Sequence, residues 1–269
     1  PECSGSLNFK DTEATCCNCR NNYPIRNGKI FFIHVPDHID TLDSLKERFR
    51  KWFGKLYYTV GINIFAPIFP FNYRKEICKR LDLTRQIVVD AGSGNHRIDE
   101  DIICLDIFDY DAADIICDLC ALPFKDNSVD AFVTRGVLEH VCEPSAVVRN
   151  FHKCTRVGGM NIHSVPFLFP FHASPYDYQR YTHKGLEYLF KEFELVGQTN
   201  ISGPVSLALI ITIEFLSIFF SLGYRKLKAY IYLFLCMILF PLKYLDIMFI
   251  NRKSFISLAP TILTVVRKK

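Results

Sequence analysis

The run Ile87-Val88-Val89-Asp90-Ala91-Gly92-Ser93-Gly94-Asn95 constrains the fold of this chain more than any other stretch. An apolar, β-branched run that does not alternate with polar residues predicts a strand covered on both faces, as in a parallel sheet. It closes on Asp90 and then on Gly-x-Gly, a turn where missing side chains let a ligand approach bare backbone. In open α/β sheets that place, beyond the carboxyl ends of the strands, is where ligands bind. The turn alone is a weak signal.

The residues downstream decide whose turn it is. A second apolar run, Asp101 to Leu105, ends at Asp106, and a third, Ala113 to Cys117, ends at Asp118. A fourth strand is predicted over Val129 to Thr134, with Leu138-Glu139-His140-Val141 just beyond it. A helix over Ser145 to Cys154, a Gly158-Gly159 turn and a fifth strand over Met160 to Val165 follow. Three strands thus end on carboxylates. The segments Asp118-Leu119-Cys120-Ala121-Leu122-Pro123-Phe124 and Val137-Leu138-Glu139-His140-Val141 resemble the class I S-adenosylmethionine-dependent methyltransferases, in their small-molecule, methyltransferase type 11-like branch. The resemblance runs from Leu81 to Phe190. It implies an α/β, Rossmann-like fold with a seven-stranded doubly wound sheet.

It also implies roles. Gly92 and Gly94 let backbone lie against the methionyl part of S-adenosyl-L-methionine, and Asp90 orients its ammonium group. Asp106 accepts from the ribose hydroxyls and Asp118 from the adenine amino group, with the Leu119 amide near the ring. Any one of these acids equally reads as a solvated loop carboxylate. One departure from the family stands out: only Asn95 to Glu100 separate Gly94 from the next strand, too few for the usual first helix. Either cofactor affinity suffers or His96 and Arg97 compensate.

His140 is the candidate general base, with Glu139 tuning it; the alternative is a histidine that packs the strand end. The later segment His172-Ala173-Ser174-Pro175-Tyr176-Asp177-Tyr178-Gln179-Arg180-Tyr181-Thr182 is similar to an Asp-Tyr-x-Arg-Tyr-Thr element of the same branch. Tyr176, Asp177 and Arg180 there form an acceptor wall, or Arg180 and Asp177 form an ion pair that holds the loop. Thr182 is a predicted N-cap for a helix over Lys184 to Lys191.

With 269 residues, 49% hydrophobic, the chain can bury one full core and leave residues over. A net charge of +4 is too mild to argue for nucleic acid. Eleven cysteines lie scattered without a disulfide framework, which suits a reducing, cytoplasmic compartment. Cys3, Cys16 and Cys19 precede a hairpin turning at Asn27-Gly28, similar to the short zinc ribbon fused ahead of such methyltransferases. The family's first knuckle places another cysteine just ahead of residue 1, so residues 1–35 read as a truncated ribbon that binds zinc, or as a plain hairpin. The chain divides into that region, a helical lid over 36–80, a methyltransferase core over 81–202 and 252–269, and an apolar helical insertion over 203–251. Leu42, Leu45, Phe49, Trp52, Phe53 and Leu56 give the lid one apolar side, and a second helix is expected near Tyr73 to Leu81.

The insertion holds two apolar runs, Pro204 to Leu222 and Ala229 to Ile250, each about the length that spans a bilayer. Flanking strands over Phe193 to Ile201 and Ile256 to Val266 pair side by side in this fold, so the runs must leave and return on one side. A span would carry Arg225, Lys226 and Lys228 to the far face, against the positive-inside tendency. Glu214, Lys243 and Asp246 also interrupt the apolar faces. Peripheral or monotopic attachment to a membrane surface is therefore expected, with buried core or dimer helices as the alternative. The expected function is methyl transfer to a small-molecule, lipid-linked or envelope-related acceptor at the cytosolic membrane face. Two alternatives are a non-catalytic methyltransferase-like membrane adaptor and a nicotinamide-dependent dehydrogenase or epimerase. The latter predicts a third glycine near Arg97 and a Tyr-x-x-x-Lys, and Lys184 instead follows Arg180 at that spacing.

Overall fold

The computed structural model describes residues 3, 5–36, 54, 64–172, 176–250 and 252–269. The apolar lid residues named above, Leu42 to Leu56, lie outside the described residues. The central strand β5 (Val88–Ala91) is buried at all four positions, as its unbroken apolar run predicts. It pairs in parallel with β6 (Ile103–Asp106) on one side and β8 (Ala131–Arg135) on the other. Beyond these lie β7 (Ile115–Ile116) and β9 (Met160–Pro166), also parallel. The sheet closes with β11 (Thr261–Arg267), antiparallel to β9 and to the outermost β10 (Glu194–Asn200). The order β7-β6-β5-β8-β9-β11-β10 is the seven-stranded, Rossmann-like sheet expected.

The N-terminal hairpin is continuous with that sheet. β1 (Leu7–Phe9), β2 (Glu13–Cys16) and β3 (Asn22–Arg26) form a meander, and β4 (Lys29–Phe31) pairs in parallel with β7, giving eleven strands among the described residues. Asn27 and Gly28 take φ of +52° and +76°, the pair of left-handed residues that a two-residue hairpin turn needs.

Two layers of side chains cover the sheet. Helix α1 (Tyr73–Cys78), capped by the Asn72 side chain on the Lys75 amide, sets Ile77 on one face against Val88, Ala131 and Val133. On the other face, α2 (Pro144–Cys154) starts with proline in its first turn and buries Val147, Val148, Phe151 and Cys154. Phe132 and Phe151 stack there with ring centroids 4.7 Å apart, and truncating either would cost about 3–5 kcal/mol. Helix α3 (His183–Leu189) begins where Thr182 Oγ1 accepts from the Gly185 amide at 3.0 Å, as the sequence predicts.

The apolar insertion folds as α4 (Pro204–Ser221) and α5 (Arg225–Leu239), followed by 3₁₀ turns over Phe240–Met248. Its second helix therefore stops short of Ile250, at the turn containing Pro241, which cannot donate an amide hydrogen. Likewise the last strand begins at Thr261 rather than Ile256, because Lys253–Leu258 coil into 3₁₀ turns. The three polar residues that interrupt the apolar faces hold the hairpin together and to the core. Asp246 accepts from the amides of Gly203, Val205 and Ser206 at 2.8–3.1 Å, capping α4 from 40 residues away in sequence. A Cβ at Gly203 would sit 2.4 Å from Asp246 Oδ1, so only glycine leaves room for that cap. Lys243 Nζ donates to the Ile64 and Ala66 carbonyls at 2.8 Å, and Lys228 pairs with Glu214 at 2.6 Å.

Candidate active site

The parallel strands bring Asp90, Asp106 and Asp118 to one edge of the sheet. Asp90 is the register partner of Cys104, and Asp106 that of Ile116, two residues before Asp118. Gly92 and Gly94 turn the chain there with φ of +80° and +60°. A Cβ at Gly92 would meet Val137 at 2.5 Å, whereas one at Gly94 would meet nothing within 4 Å, so the turn opens on free space at Gly94. The Gly94 amide donates to Asp106 Oδ2 at 2.8 Å and the Phe108 amide to Oδ1 at 3.0 Å. Burial pushes the Asp106 carboxyl above the usual carboxylate range, against the pull of those amides. Asp118 is half-buried and accepts from the Cys120 amide at 2.8 Å, opening a 3₁₀ turn over Leu119–Ala121.

Asp90 is fully buried, and its surroundings hold a residue that the sequence reasoning missed. Arg135, at the end of β8, donates through Nη2 to Asp90 Oδ2 at 2.7 Å, to the Ser93 carbonyl at 3.1 Å and to the His96 carbonyl at 2.7 Å. Burial raises the Asp90 pKa, and the guanidinium opposes that rise. Asp90 Oδ1 and Ser93 Oγ are buried without a hydrogen-bond partner among the described residues. Residues 95–100 form turns only, so the missing first helix is real. Arg97 is committed elsewhere, to the Ile102 and Ala112 carbonyls and to Asp114, and it is Arg135 that ties the turn together. The signal for Arg135 was present: a charge ending a buried apolar strand must find a counterion.

A second cluster lies beyond β8. Leu138–His140 form a 3₁₀ turn that buries Glu139, and Glu139 Oε1 lies 3.7 Å from His140 Nε2 and 3.9 Å from His172 Nε2. Burial lifts the Glu139 carboxyl to about 7, with its own backbone amide pulling the other way. Its Oε2 is buried and unpartnered among the described residues. His140 Nδ1 bonds the Tyr176 carbonyl, which fixes Nδ1 as the donor and leaves the Nε2 lone pair facing Glu139.

The predicted acceptor-wall residues divide. Arg180 and Asp177 form the bidentate ion pair that holds the loop, and Asp177 Oδ2 also accepts from the His172 amide at 2.8 Å. Burial pushes Asp177 up, but Arg180 and that amide together bring it down to about 2. Tyr176 contributes its carbonyl to His140 and exposes its ring. The loop is clasped to the 3₁₀ turn by Tyr178 N on the Glu139 carbonyl and by Gln179 Nε2 on the Leu138 and Val141 carbonyls. Tyr73 of α1 packs beside the first cluster: its hydroxyl donates to Ser164 Oγ at 2.9 Å while Arg135 lies over its ring.

At the far flank of the sheet, Cys3, Cys16 and Cys19 present thiols within 4.8 Å of one another. The amide of Cys19, then the Cys3 thiol, lowers Cys16 to about 7. A Cβ at Gly5 would lie 2.6 Å from Cys16 Sγ, so the chain wraps tightly around that sulfur. All eleven cysteines are free thiols.

Residues 89–162 match the family described as a methyltransferase domain, a span that runs from within β5 to the start of β9. No curated protein matches the chain. Among solved structures it is similar to Haemonchus contortus phosphoethanolamine N-methyltransferase 2 in complex with phosphomonomethylethanolamine and S-adenosylhomocysteine. That similarity is at 15% identity and TM-score 0.48, over 82% of this chain and 60% of that one. It is also similar to a TehB-like S-adenosylmethionine-dependent methyltransferase from Corynebacterium glutamicum, at 12% identity and TM-score 0.47, over 84% of this chain and all of that one. Residues 89–162 thus match a methyltransferase domain, set in the Rossmann-like strand order expected of one that uses S-adenosyl-L-methionine. The residues present fit that cofactor. Asp90 Oδ1 and Ser93 Oγ are unengaged acceptors at the glycine turn, Gly94 borders open space, and Asp106 is held rigid by two amides.

Proposed function

We propose that this enzyme methylates an oxygen of a small or lipid-linked, envelope-related molecule at the cytosolic face of a membrane. S-adenosyl-L-methionine supplies a methyl carbon already activated by a sulfonium, so the protein's main task is alignment. In this reading Asp90 Oδ1 and Ser93 Oγ take the ammonium group, Asp106 the ribose hydroxyls, and Asp118 with Leu119 the adenine. His140 Nε2, aimed by the Tyr176 carbonyl, accepts the acceptor's hydroxyl proton. Glu139 then steadies the imidazolium that forms.

The observation that carries the acceptor chemistry is this inward Nε2 lone pair against the buried Glu139 carboxyl, just beyond the strand end that carries Arg135. The membrane setting is supported by the outer faces of α4 and α5, where Phe215, Phe219, Tyr230 and Phe234 are each more than half exposed. Zinc at Cys3, Cys16 and Cys19 is part of the same proposal, as a structural ion for the N-terminal meander. A membrane adaptor with an idle site is favoured by one observation, the Arg135 guanidinium on Asp90. Incubating the chain with membrane lipid extract and methyl-labelled cofactor tests both readings. Label in a lipid-soluble or small acceptor, lost on Asp106→Ala, supports the enzyme. Absence of cofactor binding by calorimetry supports the adaptor.

A further inference from the structure

Glu139, His140 and His172 each offer one ligand atom, and the three atoms lie within 4.8 Å of one another. Their arrangement is not that of an ordinary hydrogen-bonded histidine pair. Both imidazoles carry a carbonyl at Nδ1, that of Tyr176 for His140 and that of Pro170, at 3.3 Å, for His172. A carbonyl accepts, so His140 holds its proton at Nδ1 and turns a bare Nε2 lone pair inward, while His172, whose Nδ1 also meets the Arg180 Nη2 donor at 3.3 Å, turns its Nε2 to the same point. Both Nε2 atoms face the buried Glu139 carboxyl, at 3.7 and 3.9 Å, beyond hydrogen-bond distance. Glu139 is 1% exposed, and its second oxygen has no partner among the described residues. Three ligand atoms thus converge on one point at separations longer than a hydrogen bond, and a cation is what such a set can hold.

We propose that Glu139, His140 and His172 bind a divalent transition-metal ion of the zinc class at the acceptor side of the methyl-transfer site. Two imidazoles and one carboxylate suit zinc, cobalt or iron(II) better than magnesium, which prefers oxygen ligands and water. Zinc with ligands at about 2.0–2.1 Å in a tetrahedron needs ligand atoms ~3.3 Å apart, so the separations in the cluster must close by about 0.5 to 1.5 Å. The outer partners are in place: Asp177 Oδ2 lies 3.6 Å from His172 Nδ1 and is itself locked by Arg180, the kind of support that orients metal-bound histidines. Three protein ligands leave a coordination position open for the acceptor oxygen, whose proton a bound cation makes easier to lose to water. The inference rests on the proposed function for its acceptor and changes the part His140 plays: a ligand when metal is bound, a proton acceptor when it is not.

Cobalt(II) titration of the full chain, followed by visible absorption, tests the site. Thiolate ligation at Cys3, Cys16 and Cys19 gives intense charge-transfer bands in the near ultraviolet, whereas imidazole and carboxylate ligation gives only weak visible bands. The expected result is a set of weak visible bands that Glu139→Gln and His172→Ala each abolish or shift to about tenfold higher cobalt. Both variants should keep calorimetric binding of S-adenosyl-L-methionine, which reports folding independently. Wild-type protein without the weak bands, or bands indifferent to both substitutions, overturns the metal site. If the bands behave as expected but the cofactor gives no heat, the proposed function fails while the metal site stands.

Discussion

Arg135 Nη2 lies 2.7 Å from Asp90 Oδ2, so the end of β8 supplies the counterion for the buried acid at the end of its parallel neighbour β5. Removing one member of such a pair leaves an uncompensated buried charge, at a cost of about 3–5 kcal/mol. Arg135→Met is therefore expected to lower the urea stability of the protein by about 3 kcal/mol or more, and Asp90→Asn in the same chain to recover most of it. Urea melts of the two single variants and the double variant read the coupling directly. Additive losses would show that Arg135 and Asp90 act independently.

Asp106 has its two oxygens fixed by the amides of Gly94 and Phe108, leaving further lone pairs toward the opening at Gly94. Two hydrogen bonds from ribose hydroxyls to a carboxylate contribute about 1.5–3 kcal/mol each, so Asp106→Ala should weaken S-adenosyl-L-methionine about 100-fold or more. Calorimetric titration measures this, with circular dichroism as the check on folding. Wild-type affinity in the variant would move the ribose site elsewhere.

His163 sits fully buried in β9, stacked between Phe151 and Phe190, with Nδ1 at 2.9 Å from Thr134 Oγ1. Desolvation depresses its pKa to about 3. The folded state thus keeps the ring neutral at pH values where the unfolded chain protonates it. Stability from this source is complete above the unfolded pKa near 6.5 and is lost as pH falls toward the folded value. The loss is about 1.4 kcal/mol per unit, or about 2 kcal/mol from pH 6.5 to 5. In His163→Phe the drop in urea stability between pH 7 and 5 should be smaller than in wild type by about that amount. Equal drops in both proteins would mean that the ring titrates normally.

The parallel core was legible in the sequence because its strands are covered on both faces, and such strands need unbroken apolar runs. That is how β5, β6 and β7, with the acids at or just past their ends, and β8 could be read within two residues. Residues whose role depends on contacts across the sheet were not. Arg135 meets Asp90 across 45 positions of sequence, and Asp246 meets the start of α4 across 43. Neither pairing follows from local spacing. The fusion of the N-terminal hairpin to the sheet was equally hidden, since β4 and β7 offer only two residue pairs to the contact. The loop over Asp177 to Arg180 showed its composition but not its choice between binding acceptor and holding itself, and those two side chains pair with each other.

Ile211, Phe215 and Phe219 recur every fourth residue along α4, as Tyr230, Phe234 and Ile238 do along α5, and all six are more than half exposed. Four-residue spacing places each trio on one helix face. The opposite side of α4 is closed off by Leu209 and Ile213 against Cys236, so the exposed rows are not contributing to the core. A bilayer interface would cover them, and each phenylalanine inserted there should contribute about 2 kcal/mol. Phe215→Ser together with Phe219→Ser is then expected to lower the vesicle partition coefficient about 1000-fold, with little change in urea stability because both rings are already solvent-facing. Flotation with vesicles containing anionic lipid, compared with neutral ones, separates the apolar contribution from that of Arg225 and Lys226 in the first turn of α5. If the doubly substituted chain floats as the wild type does, the exposed rows meet another protein surface and the membrane reading falls.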